Sequence, residues 1–314
     1  RGLGGTMVNL VVWSTADGTK VQMDRPSKVW NNVSYWPGGG GMLEPGSRPA
    51  QGYFIVGSWG EWEQVEEMQR AGDGSFVSTV TLGMNGFETF QIWLDGEGDR
   101  ILHPATPTAP CHTAVLGPSE PHIAGGLSWM IDGRTTLHHA VVDKPAEGAD
   151  AGAIVKVPER VPVPTRDRGF PGEQYEVKLL VAGKYRAVSW RKLGSIADAS
   201  LAALIRGKYY VAGSFNNYDF QEMTASQTEE GLYTAEVEQG LDNGEFQIVR
   251  NKDWEQAFFP GDAGLVEGPH VSTESVFRLG GLNNAFIIEF HRTFDQEGSD
   301  TKKVSWRRRR SSTQ

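Results

Sequence analysis

The chain has 314 residues, enough for about two domains of ordinary size. Its 39% apolar and 22% charged residues exclude a disordered chain, and its one cysteine, Cys111, excludes an internal disulfide and any Cys-rich metal site. The formal charge of −9 is uneven: residues 302–314 hold Lys302, Lys303 and Arg307 to Arg310 without an acid, which leaves 24 basic and 39 acidic residues, or −15, in the rest. An acidic body with a basic end argues against a general nucleic-acid binder and permits head-to-tail attraction between copies.

In chain order, residues 1–50 form an arm outside the repeats. Val8, Leu10, Val12 and Trp13 mark a strand that can add to a sheet, its own or a neighbour's. The chain opens at Arg1, which reads as a processed or trimmed form without its targeting peptide. No run of about 18 apolar residues predicts a membrane span.

A repeat begins at Tyr53. Residues 53–68 (YFIVGSWGEWEQVEEM) answer residues 209–223 (YYVAGSFNNYDFQEM), at an offset of 156 at Tyr53/Tyr209 and 155 at Met68/Met223, and Phe90-Gln91-Ile92 answers Phe246-Gln247-Ile248, again at 156. Gly117-Pro118 answers Gly268-Pro269, and the closing Val188-Ser189-Trp190 answers Val304-Ser305-Trp306. Collinear matches of this kind mean duplication. Each unit reads as short apolar strands separated by glycine turns, which predicts tandem antiparallel β-sandwiches related by a pseudo-two-fold axis, an all-β fold. Phe90, Ile92, Phe246 and Ile248 are the expected core, with Trp190 and Trp306 packed against it.

The first unit spans 51–194 and carries an insertion at 134–172. Pro145, Pro158, Pro162, Pro164 and Pro171 predict an excursion loop there. A helical linker follows at 195–207, with Ser195 or Asp198 as cap and Gly207 as stop. The second unit spans 208–306, and 307–314 is a basic tail. That tail has an acidic counterpart in Glu61, Glu63, Glu66 and Glu67, the expected assembly contact.

No chemistry-bearing pattern emerges. Gly57-Ser58-Trp59-Gly60 lacks the strand–elbow–helix setting of a nucleophilic serine, so Ser58 is expected to bond backbone at a turn. His138 and His139 are adjacent, so in a strand they face opposite sides and do not share a metal. No catalytic, cofactor-binding or metal-ligating residue is expected.

Two resemblances follow from these motifs. Gly213-Ser214-Phe215-Asn216-Asn217-Tyr218, then Asn251-Lys252-Asp253-Trp254, resembles starch- and glycogen-binding β-sandwich modules. That implies Tyr218, Lys252 and Trp254 as a sugar-facing set. The tandem Y-x-V-x-G-S-aromatic, Glu-Met, F-Q-I, Gly-Pro and Val-Ser-Trp series, with an insertion in the first unit, resembles the pyrenoid shell proteins of diatoms (PyShell) over about 53–306. This implies a non-enzymatic protein that self-assembles into a sheet around the Rubisco matrix, in the chloroplast stroma at the pyrenoid periphery. Its partners would be other copies of itself and the Rubisco matrix or an adaptor, in support of CO2 concentration and fixation.

Overall fold

The computed structural model describes residues 43–145, 154–165, 167–195, 202–240, 243–272, 274–281, 284–294 and 299–309. The expected strand at 8–13, Asp198, Arg310 and the residues beyond it lie outside them.

The first unit contains β1 (Tyr53–Gly57), β2 (Glu66–Glu67), β3 (Gln69–Arg70), β4 (Phe76–Thr81), β5 (Phe87–Leu94), β6 (Ile101–His103), β7 (Leu116–Ser119), α1 (Pro121–Ala124), β8 (Trp129–Asp132), β9 (Thr135–Pro145), β10 (Ile154–Pro164), β11 (Glu173–Ala182) and β12 (Tyr185–Ser195). One sheet runs β2-β1-β5-β6-β7 with β8 on the first half of β5. The sheet facing it runs β12-β11-β4-β3. After α2 (Ala202–Arg206) come β13 (Tyr209–Gly213), β14 (Gln221–Glu222), β15 (Thr224–Ala225), β16 (Leu232–Gln239), β17 (Asn243–Arg250), β18 (Ala257–Pro260), β19 (Val266–Glu267), β20 (Phe277–Gly280), β21 (Asn284–Phe294) and β22 (Asp300–Arg308). They repeat the plan: β14-β13-β17-β18-β19 with β20 on β17, facing β15-β16-β21-β22. The protein is therefore all-β, two similar antiparallel sandwiches in tandem.

Each sandwich closes over its own core. Phe90, Ile92, Phe246 and Ile248 are fully buried, as alternation along a core strand requires. Trp190 meets Phe90 edge-on at 5.8 Å, and Trp306 meets Phe246 edge-on at 5.7 Å, so both closing tryptophans pack on a core ring. Trp306 remains 39% exposed.

The Gly-Ser-aromatic signature has a steric cause. A Cβ on Gly57 would lie 2.6 Å from Thr89 O, and one on Gly213 would lie 2.3 Å from Glu245 O. Glycine lets β1 and β13 approach their neighbours this closely, with the ring of Trp59 or Phe215 folded back over the same Cα. The serine follows suit. Ser58 Oγ accepts Thr89 N, and Ser214 Oγ accepts Glu245 N, each at 3.0 Å. Two left-handed residues come next in both units, Glu61-Trp62 (φ 58° and 61°) and Asn217-Tyr218 (φ 54° and 61°).

Three expectations are corrected. The insertion is not a structureless loop: β9 and β10 pair over eleven residues from Thr135↔Pro164 to Pro145↔Ile154. Nine of the 22 residues in these two strands are Val, Ile or Thr, and their preference for extended backbone prevails because the prolines are accommodated in the strand. The linker helix is shorter than 195–207. Ser195 ends β12 rather than capping a helix, and the described helix α2 spans Ala202–Arg206. Gly207 does stop it, at φ 69° with its N–H on Ala203 O. The basic end is not a tail from 307 onward, because Arg307 and Arg308 belong to β22 and Arg309 N bonds Ala285 O.

Candidate functional site

Two aromatic grooves flank the junction of the units. Both arise from the left-handed turn after β1 and β13, which swings Trp62 and Tyr218 out at equivalent positions. In the second unit, Tyr218 and Trp254 line a groove of about 420 Å³ with Glu245, Gln247, Glu274 and Arg278. Tyr218 is 44% and Trp254 38% exposed. Gln247 at its floor donates to Ser272 O and Ser275 O, and Phe220 backs Trp254 at 5.3 Å between ring centroids. In the first unit, Trp62, Trp93 and Gln91 line a second groove of about 420 Å³, and Lys252, Trp254 and Glu255 of the other unit close it. Gln91 repeats the floor bonds, donating to Ala124 O and Leu127 O. Gly98 stands where the other repeat has Trp254, and the Trp93 ring sits against it.

The sugar-facing set is thus divided. Tyr218 and Trp254 share a groove, while Lys252 lines the other one, where its Nζ pairs with Glu63 at 2.6 Å and lies 3.6 Å from Glu61. Trp254 is common to both grooves.

Beneath the grooves runs a buried polar seam. Glu88 and Arg250 are both fully buried and form an ion pair at 3.0 Å. Arg250 also donates to Gln256 Oε1 at 2.7 Å and to Arg206 O and Ile205 O at the end of α2. Glu88 accepts from Gly83 N and from the Ser58 hydroxyl. Asn85 donates to Gln256 at 2.6 Å and accepts from Arg292 at 2.6 Å, while Arg292 grips Asp300 with two bonds of 2.9 and 2.8 Å. Thr89 Oγ1 donates to Asp253 Oδ2 at 2.9 Å. Burial pushes the Asp253 carboxyl up to about 6, against the hydrogen bonds from Gln256 and Thr89. Buried charges persist only when paired and fully bonded, and here the Glu88–Arg250, Asn85–Gln256, Asn85–Arg292 and Thr89–Asp253 contacts all come from joining one repeat to the other.

The proposed acidic contact is partly occupied by the same seam. Glu61 accepts from Tyr210 OH at 2.6 Å and pairs with Lys208 at 3.1 Å. Burial opposes its charge, but the bonds from Tyr210 and Lys208 prevail and hold its carboxyl below the ordinary value. Glu63 holds Lys252 and Glu66 accepts from Trp59 Nε1 at 2.8 Å, while Glu67 is exposed in β2. The basic end likewise finds acid on its own sandwich: Arg307 meets Glu289 at 3.2 Å, Arg309 meets Glu236 at 2.9 Å, and Lys302 meets Asp300 at 3.3 Å. Lys303 and Arg308 are exposed.

Sequence reasoning missed Asn85, Glu88, Trp93, Arg250, Asp253, Gln256 and Arg292. One signal was available. Phe-Gln-Ile-Trp-Leu94 aligns with Phe-Gln-Ile-Val-Arg250, so a core strand ends in Leu in one repeat and in Arg in the other. Among the described residues no group of three His, Cys, Asp or Glu could hold a metal ion, and no helix is long and apolar enough to cross a membrane.

No family model and no curated protein matches the chain. The crystal structure of SusF from Bacteroides thetaiotaomicron is similar at 11% identity and a TM-score of 0.23, covering 82% of this chain and 72% of that one. At that level the likeness carries no argument about fold or function.

Proposed function

We propose that this chain is a non-enzymatic structural protein that assembles with copies of itself into a sheet enclosing the Rubisco matrix of a pyrenoid, where it supports carbon fixation. The observation that carries the reading is the use of the buried polar groups. Glu88, Asn85, Arg250, Asp253 and Gln256 join repeat to repeat, which makes one stiff two-unit block. A block of two similar units presents similar edges on different sides, which suits tiling. Its long edge strand β22 has no described strand on its outer side, and uncovered edges are templates for pairing. The pyrenoid itself comes from the tandem-motif resemblance. A fluorescent fusion expressed in a diatom tests it. A closed ring around the Rubisco signal supports the reading, and diffuse stromal fluorescence contradicts it.

A second reading, an α-glucan-binding module, is favoured by one feature: the paired grooves with exposed Tyr218 and Trp254 over a bonded glutamine floor. Flat rings beside polar groups suit stacked sugars. Retardation in amylose-containing gels that Trp254→Ala abolishes would support it, whereas unchanged mobility would exclude it.

A further inference from the structure

The insertion hairpin has two edges of opposite character. At its base, Thr165 N donates to Arg134 O at 2.9 Å, in register with the β9–β10 ladder. Hydrogen-bonded and non-hydrogen-bonded pairs alternate along an antiparallel ladder. Odd residues of β10 and even residues of β9 therefore bond each other. Even residues of β10 and odd residues of β9 turn their backbone N–H and C=O outward.

Pro158, Pro162 and Pro164 all fall on outward positions of β10. Three of its six outward positions thus have no N–H, which blocks that edge without loss to the ladder. On β9 the outward positions Thr135, Leu137, His139, Val141 and Asp143 all keep their donors, and Pro145 follows only at the end. One edge is closed and the other open over five successive donors.

Among the described residues no third strand joins this pair. A two-stranded hairpin is marginal in water, and three or more strands are needed for stability of its own. Yet the base is fixed to the first unit. Asp132 N donates to Asp167 Oδ2, Gly133 N to Gly86 O, and Gly169 N to Gly133 O, at 2.9, 2.9 and 3.0 Å. The arm is about 36 Å long at about 3.3 Å per residue.

We infer that β9 is a docking edge for β9 of a second copy, giving a four-stranded sheet in the order β10-β9-β9-β10. This deepens the self-assembly reading, on which it rests, by naming one contact. A two-fold interface requires a surface that matches itself. The outward donors of β9 are symmetric about His139: position 135 falls opposite 143, 137 opposite 141, and 139 opposite its own copy. The proline-bearing edges then lie outermost and stop further growth. A second long edge strand, β22, is less suited to meeting itself. It carries Lys302, Lys303, Arg307 and Arg308 against the single acid Asp300, whereas β9 balances Asp143 with Lys144.

The test uses the full chain with Cys111→Ala, to which His139→Cys or Arg160→Cys is added. Opposed residues of a hydrogen-bonded antiparallel pair have Cα atoms about 5.5 Å apart, within the roughly 4.4–6.8 Å that a disulfide spans. Mild oxidation should convert most of the His139→Cys protein to a covalent dimer and leave Arg160→Cys, on the closed edge, monomeric. Separately, His139→Pro removes only an outward donor and should weaken self-association at least tenfold by sedimentation, with the circular dichroism unchanged. The inference is overturned if His139→Cys stays monomeric or if Arg160→Cys cross-links as readily. That result with sheets still visible by electron microscopy removes this contact alone. The same result with no assembly in any sample removes the self-assembly reading as well.

Discussion

Set side by side at an offset of 156 residues, the two sandwiches agree where they serve their own frame and differ where they meet. Gly57 and Gly213, Ser58 and Ser214, Gln91 and Gln247 make the same contacts in both. Asp95 Oδ1 accepts Gly52 N, and Asn251 Oδ1 accepts Lys208 N, the equivalent bond. The differences concentrate at the seam. Leu94 answers Arg250, Gly244 answers Glu88, and Glu97 answers Asp253. Residues that satisfy a repeat's own backbone are held in place by geometry, which a duplication inherits twice. Residues at the junction face a different neighbour in each repeat, so each copy needs a different side chain. The block is therefore asymmetric at its centre although its frames match.

The strongest way to break this comparison is to give the second unit the first unit's residue. Arg250→Leu leaves Glu88 buried without its cation and should cost about 3–5 kcal/mol of unfolding free energy in urea. Adding Glu88→Gln should recover most of that, because no uncompensated charge then remains. If the double variant were as unstable as the single one, the seam would not depend on the pair.

Phe90→Ala and Phe246→Ala probe the frames instead. Both rings are fully buried, so each should lose about 3–5 kcal/mol from transfer and cavity together. Calorimetry should find the two losses within about 1 kcal/mol of each other, because the sites are equivalent. A large difference would show that the frames are not.

Asp253 sharpens the comparison by pH. Its folded value of about 6 stands above the unfolded value of about 3.8, so the fold prefers the protonated acid. Its stabilising effect is present below about pH 4 and is lost as pH rises through 6, by about 3 kcal/mol in all. Asp253→Asn should gain roughly that amount relative to the parent between pH 4 and pH 7 in urea titrations. A constant difference across that range would contradict the assignment. Asp300 works in the opposite sense. Burial raises its carboxyl, but Arg292 outweighs that and lowers it, so its contribution is lost only as pH falls below about 4. The smallest effect belongs to the surface. Arg307→Ala, which removes an exposed pair with Glu289, should change stability by less than about 1 kcal/mol, and a larger loss by the same titration would give β22's charges a structural role.

The frame was legible in the sequence because its rules are local. The Gly-Ser-aromatic turn, the apolar Phe-x-Ile of β5 and β17, and the closing tryptophans each leave a short, repeated pattern. The hairpin at 135–164 was misread because proline count outweighed proline position. Only the register reveals that the parity shared by the prolines of β10 is the outward one. The seam was hidden for another reason. Glu88 and Arg250 lie 162 positions apart, and only the docking of two sandwiches brings them together. The Leu-to-Arg difference at the ends of β5 and β17 was the one visible trace. Of the aromatic set, Tyr218 and Trp254 came from the resemblance to starch-binding modules, whereas Trp93 joined the first groove only through the fold.

We propose that the two matched frames, locked by an asymmetric seam, form a building block for a sheet. Negative-stain electron microscopy of the purified full chain at moderate salt tests it most directly. Extended sheets or tubes with a regular repeat are the expected result. Discrete monomers at every protein concentration and salt would contradict it.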